Sequence, residues 1–185
     1  MEVLFLFYID GVSFVKEEVN TWFYFLVFKK KEHRKLLVGA LSKYVFKLST
    51  VKERHRISQV FILPNYQKYG HGKELLDVVY KRSLEDSNCF EITTEIPSFE
   101  YQCLRDSKET EMILDSKIID LSTIKVPQTG EEITKVRDQL LGKDVLREIK
   151  LKLKLPGHQI DRIAQILVFE KILATKDDMA RAHFE

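Results

Sequence analysis

One stretch constrains this chain more than any other. An apolar run, Ile57-Ser58-Gln59-Val60-Phe61-Ile62-Leu63, is stopped by Pro64, and a short loop then delivers Gly70-His71-Gly72-Lys73. From His71 onward Leu75, Leu76, Val79 and Tyr80 recur at helical spacing, with Lys73, Glu74, Asp77 and Lys81 on the other face. The pattern predicts a buried strand, a loop and an amphipathic helix. Gln67-x-x-Gly70-x-Gly72 thus places two glycines where the strand hands over to the helix. Glycine admits close backbone approach, and the first turn of a helix carries unpaired N–H groups and partial positive charge. Such a junction can bind phosphate without a dedicated cation. Tight turns that hold no ligand use the same glycines, so spacing alone leaves both readings open.

The surrounding elements are read the same way. Trp22–Phe28 predicts a central strand, and Leu36–Val45 its antiparallel neighbour with Gly39 as a candidate bulge. Phe90–Glu95 alternates as a strand and is ended by Pro97; Ser98 opens a helical segment. The apolar run Val3–Ile9 is too short for a membrane span and lacks the flanks of a secretory signal, and it reads as a further buried strand. Past a break at 126–130, with Thr129 as candidate N-cap, Glu131–Lys154 reads as one helical stretch. Gln159–Lys176 reads as a last helix after Pro156-Gly157. The expected fold is α/β over residues 1–125, followed by a small helical region over 126–185.

Charge sharpens the picture. The net charge is only +2, against a protein built to coat nucleic acid. Yet residues 29–56 carry ten bases and two acids, and residues 85–120 carry ten acids and three bases. A run of this kind is commonly a solvated face; the alternative is one region suited to an anion and another suited to a cation. Cys89 and Cys103 are too few for a disulfide scaffold, which points to a reducing compartment, and a buried thiol is the expected state of such cysteines. The five histidines share no ligand spacing with them, so no metal is expected.

In context the glycine loop resembles the acetyl-CoA pyrophosphate loop of the GNAT acetyltransferase superfamily. The wider runs Arg56-Ile57-Ser58-Gln59, Pro64 to Gly72, Glu91 to Ser98, Leu104-Arg105-Asp106 and Trp22 to Phe28 are similar, in the same order, to type B histone acetyltransferase catalytic subunits. The resemblance implies a mixed, mostly antiparallel sheet with splayed central strands and flanking helices. It departs in two places. The family carries an N-terminal domain ahead of the first catalytic strand, and this chain starts close to that strand, as a truncated or divergent member or an incomplete gene model would. The family's Glu-Asp-Pro at the end of the fifth strand is here Glu95-Ile96-Pro97.

What the resemblance implies is direct transfer of acetyl from acetyl-CoA, as co-substrate, to a lysine amine. A free lysine, with a pKa near about 10.4, is protonated at neutral pH and has no lone pair to attack with. A carboxylate close to the amine can serve as general base. The resemblance assigns that role to Glu95 and places Asp10 where the family has a second acid. Cofactor contacts fall on Val60, Phe61 and Ile62 for the pantetheine arm, and on Gln67, Lys68, Tyr69, Gly70, His71, Gly72 and Lys73 for the pyrophosphate, with His71 structural. Expected partners are a lysine-rich histone tail, specifically that of free histone four, and a WD-repeat histone chaperone, a link weakened without the N-terminal domain. Neither direct nucleic-acid binding nor a membrane is expected, and residence is expected in nucleus and cytoplasm. Two alternatives stay open: a GNAT enzyme for another protein or a small amine, and a non-catalytic remnant that binds acetyl-CoA or a partner.

Overall fold

A computed structural model describes residues 2–9, 21–123 and 130–182. It divides into two compact units, Met1–Lys108 and Glu109–Glu185. The first holds a four-stranded sheet in the order β1 (Trp22–Lys31), β2 (Arg34–Ser49), β3 (Lys52–Ile62) and β4 (Cys89–Thr94). The pairs β1–β2 and β2–β3 are antiparallel, whereas β3–β4 is parallel, with helix α2 (His71–Glu85) as the crossover. The expected mixed, mostly antiparallel sheet is therefore present.

Three readings need correction. Val3–Ile9 is not a strand: Glu2–Tyr8 is helix α1. An apolar run without a period does not distinguish helix from strand. Here the helical turn buries Phe5 against Ala40 and Phe61, brings Leu4 and Ile9 against the same cluster, and leaves Phe7 outside. The basic segment 29–56 is not wholly a solvated face. It is strand almost throughout, interrupted by the turns at 32–33 and 50–51, and it contains the buried side chains Lys43 and His55. The stretch from Glu131 to Lys154 is not one helix but α4 (Gly130–Leu140) and α5 (Lys143–Leu153), broken at extended Gly142. Thr129, the candidate N-cap, lies outside the described residues.

The two faces of the sheet are covered differently. Phe5 of α1 meets Phe61 edge-on with ring centres 5.2 Å apart, and Tyr8 stacks on the same ring. On the opposite face α2 buries Leu75, Leu76, Val79, Tyr80 and Ser83, and its Arg82 lies over Phe25. Helix α3 (Phe99–Asp115) follows β4, and its first turn is capped by Ser98 Oγ, which accepts the Tyr101 N–H. Within the first unit α3 is tied to α2 by the ion pair of Lys108 with Asp77. The second unit contains α4, α5 and α6 (Gly157–Ala182). There Ile160, Ile163, Ala164, Leu167 and Val168 form the buried stripe of α6 at the spacing a helix requires.

Gly39 sets how closely β2 and β3 approach. The β1–β2 register shifts between Val27 and Phe28, opposite Gly39 and Leu37, so a bulge is present but its extra residue is Val38, next to the expected Gly39. A Cβ at Gly39 would stand 2.6 Å from the Phe61 carbonyl oxygen and against the Ile62 side chain. A carbonyl cannot swing aside as a side chain can. Gly39→Ala should therefore cost about 1–3 kcal/mol, read as a lower denaturation midpoint with an unchanged m-value.

Candidate active site

The site begins where two strands part. β4 runs beside β3 from Glu53 opposite Cys89 to Ile57 opposite Thr94. The last bond is from the Glu95 N–H to the Ile57 carbonyl, 2.9 Å. The chain then turns away through Ile96-Pro97 into α3, while β3 continues to Ile62. Among the described residues no strand lies beside Ser58–Ile62 on that edge.

A bulge decides which main-chain groups face the gap. Ser42 opposite Gln59 gives way to Lys43 opposite Ile57, so Ser58 is the extra residue. The Leu63 N–H reaches the Val38 carbonyl at 2.8 Å, across β2. Alternation then turns the main chain of Phe61 and Gln59 toward β2, and that of Val60 and Ile62 toward the gap. The Ile62 carbonyl accepts a hydrogen bond from Gln67 Nε2 at 2.9 Å. Of the three residues expected along the pantetheine arm, Val60 and Ile62 thus offer main-chain groups to the gap. Phe61 has its ring in the α1 cluster.

The loop beyond β3 has the geometry that its glycines imply. Gly70 adopts φ +88° as the residue before α2, Lys68 adopts φ +64°, and no side chain caps the helix. A Cβ at Gly70 would meet nothing within 4 Å, whereas one at Gly72 would stand 2.9 Å from Leu104 Cδ2. The two glycines therefore serve different ends: Gly70 turns the backbone over open space, and Gly72 lets α3 pack against the start of α2. The open, uncapped helix start fits a diphosphate, with the His71 and Gly72 N–H groups directed out of the first turn. His71 Nδ1 lies 3.3 Å from Glu74 Oε2, within the first turn of α2. Lys68 and Tyr69 are exposed, and Lys73 sits in the first turn of α2.

Glu95 directly follows β4 at the mouth of the gap with its side chain exposed, and Ile96 beside it is 95% exposed. Asp10, the second expected acid, lies outside the described residues. One feature was not read from the sequence. Trp22, Tyr44, Arg56 and Thr93 occupy one register row across all four strands, two residues short of Glu95. Trp22 and Tyr44 meet edge-on at 5.0 Å, Tyr44 meets Phe46 at 4.4 Å, and the Arg56 guanidinium lies 4.5 Å over Phe46. Alternation in WFYF and KYVF could have placed these rings on one face.

The face under α2 holds a second polar group. Lys43 is 5% exposed, and its Nζ lies 3.1 Å from His55 Nδ1, which is itself 2.9 Å from Ser83 Oγ. His55 Nε2 faces Asp86 at 3.4 Å and Glu53 at 3.8 Å, beside a cavity of about 300 Å³. Glu53, His55 and Asp86 bring donor atoms within 4.8 Å of one another. Chain folding unites these residues, which is why spacing against the cysteines missed them. The Lys43 ammonium supplies their counter-charge. Cys89 is buried, as expected, but Cys103 is exposed.

No family model matches the chain. It is 30% identical over 183 residues to a type B histone acetyltransferase catalytic subunit of Dictyostelium discoideum, a match that covers 95% of this chain and 35% of the relative. To the human type B catalytic subunit it is 36% identical over 110 residues, covering 57% of this chain and 26% of the relative. The chain is related to type B histone acetyltransferase catalytic subunits. It spans about a third of the length of the curated relatives it matches. Among solved structures, a soil-metagenome aminoglycoside acetyltransferase in complex with sisomicin aligns at TM-score 0.41 and 18% identity, covering 60% of this chain and 76% of its own. The stretches that carry the type B resemblance, Arg56–Gln59 and Glu91–Leu104, are the middle of β3 where β4 parts from it, the end of β4 and the first turns of α3.

Burial lowers the pKa of Lys43 from its ordinary value of 10.5; negative charge on Cys89, Asp86 and Glu53 opposes this, and Arg82 adds to it. Below 10.5 the unfolded chain therefore holds a proton that the folded chain has begun to lose, so stability rises with pH across that window. Compared with Lys43→Met, the parent protein should gain stability as pH is raised toward 10.5, measured by urea unfolding at several alkaline pH values.

Proposed function

We propose that this chain binds acetyl-CoA along the free edge of β3 and transfers its acetyl group to a lysine side-chain amine in a histone tail. The tail of free histone four is the substrate that the resemblance favours. The observation that carries the reading is the parting of β3 from β4 at Ile57 and Glu95. It puts the main chain of Val60 and Ile62, an uncapped helix start and a carboxylate at the same, carboxyl end of two parallel strands. In sheets with parallel strands that end is where ligands bind.

The chemistry asked of the chain is modest. Bound acetyl-CoA supplies a thioester carbonyl, an acyl group already activated for transfer. Val60 and Ile62 hold the extended pantetheine by main-chain pairing, and the start of α2 holds the diphosphate. Glu95, directly or through one water, takes the proton from the lysine ammonium, which gives the nitrogen its lone pair. As the N–C bond forms the C–S bond breaks, and the second proton that the nitrogen must lose to become an amide passes, directly or through solvent, to the departing thiolate, while the proton on Glu95 goes to solvent. A main-chain N–H at the gap is available to the developing oxyanion. The rings of Trp22 and Tyr44 offer aromatic walls of the kind that suit an aliphatic stem bearing a cation.

Mass spectrometry of a histone-four tail peptide incubated with acetyl-CoA and this protein tests the reading. Acetylation of lysine is expected, and Glu95→Gln should slow it by about 10²–10⁴-fold. A rate untouched by that change removes Glu95 from the mechanism. The exposed Ile96 favours a second reading, a binder that no longer turns over, because it places an apolar side chain where the family has an acid. That reading predicts binding of acetyl-CoA without lysine-dependent release of CoA. If the enzyme reading holds, Ile96→Asp should lower KM for a cationic tail by about three- to tenfold, with a steeper salt dependence in steady-state assays.

A further inference from the structure

The hairpin joining β1 to β2 overruns the end of the sheet. β3 stops at Ile62, and Leu63 still pairs with Val38, but the pairs Lys29–Leu36, Lys30–Lys35 and Lys31–Arg34 continue beyond with no strand of β3 beside them. Three further residue pairs extend the arm by roughly 10 Å. Two of those pairs set cations directly opposite each other. Like charges in facing register positions destabilise a ladder, and residues 29–35 hold five cations against the single acid Glu32. None of the five forms an ion pair within the described residues. The arm also has a fixed neighbour: Lys29 Nζ lies 5.8 Å over the ring of Tyr66, in the loop that leads from β3 to Gly70 and the start of α2. A concentrated positive charge therefore stands alongside the proposed diphosphate cradle.

We infer that this arm recognises the phosphorylated nucleotide end of the cofactor, with Lys31 and Arg34, on the face that Lys29 turns to Tyr66, gathered around its 3′-phosphate. The inference rests on the acetyl-CoA reading above and adds to it a basis for selecting the 3′-phosphorylated cofactor. A phosphomonoester carries close to two negative charges near neutral pH. One such group answers the mutual repulsion of the Lys31–Arg34 pair, and the helix start, which uses main-chain N–H groups for the diphosphate, leaves that task to side chains.

Calorimetry with CoA and with dephospho-CoA, which lacks only the 3′-phosphate, tests this on the full chain. The parent protein should bind CoA about tenfold more tightly than dephospho-CoA at low salt. The double change Lys31→Gln, Arg34→Gln should bring that ratio close to one and leave the affinity for dephospho-CoA as it was, whereas Lys30→Gln with Lys35→Gln, on the other face, should leave the ratio in place. Because these side chains are exposed, the variants should fold, and relief of repulsion should raise their melting temperatures. Lys31→Arg with Arg34→Lys should keep the ratio. A parent ratio of one, or a ratio that survives the change of Lys31 and Arg34, overturns the inference while the acetyl-CoA reading stands. Weakened binding of a duplex oligonucleotide with the ratio intact also overturns it and gives the arm to nucleic acid. Failure of the parent to bind either ligand removes the acetyl-CoA reading and this inference with it.

Discussion

Backbone amides and carbonyls inside a sheet are costly to leave unpaired, so two neighbouring strands separate only where some other partner can take their hydrogen bonds. In this chain the separation occurs at one peptide, where the Glu95 N–H makes the last bond to Ile57. Everything assigned to function sits around that point. The Ser58 bulge reverses the phase of β3, so Val60 and Ile62 face the gap in place of the residues that regular alternation would present. Gln67 claims the Ile62 carbonyl at the far end and braces the loop that Gly70 then turns into α2. The gap is thus bounded by a carboxylate at one end and an uncapped helix start at the other, a length suited to an extended ligand.

What keeps the gap in shape is packing that involves none of the proposed reacting groups. Gly39 allows β2 to lie against the Phe61 carbonyl, and α1 closes over Phe61 from one face with Phe5 and Tyr8. From the other face Gly72 lets Leu104 of α3 reach the first turn of α2, and Lys108 pairs with Asp77. A shift of β3 in its own plane would have to move all of these contacts. The Lys43–His55–Ser83 group works in the same sense from beneath α2. A buried ammonium is costly on its own, but here it is set against two carboxylates through an imidazole, which joins β2 and β3 to the end of α2.

The parts legible from sequence were those with a local cause. A glycine at φ +88° and a helix that follows it are dictated by a few adjacent residues, so the loop from Pro64 to Lys73 could be read directly, as could α2 from its period. Glu95 and the strand it follows were likewise marked by Pro97. The N-terminal run was misread because seven apolar residues in a row have no period, and only the position of Ala40 and Phe61 makes a helix the better way to bury Phe5. Lys43 and His55 were hidden for a related reason. Counted as charge they belong to a basic run, but Lys43 alternates with Leu41 and Val45, and that face lies under α2. The Ser58 bulge is set by pairing with β2, so it leaves no mark on its own strand.

The charge segregation along the chain can now be divided by structure. Of the basic segment, Lys43 and His55 are buried and Arg56 lies over Phe46, so these three answer to packing and to local acids. Arg54 is held by Glu91 at 2.8 Å. What remains is concentrated in the overhanging hairpin, where the facing pairs Lys30–Lys35 and Lys31–Arg34 raise the energy of the free protein. A solvated face would be more stable with its charges alternating in sign. Because the repulsion is set by strand register and not by flexible side chains alone, side-chain motion relieves it only in part, and a bound anion relieves it directly. The stability given up in the free hairpin then returns as affinity for the phosphorylated ligand, which is why charge removal there is expected to move stability and binding in opposite directions.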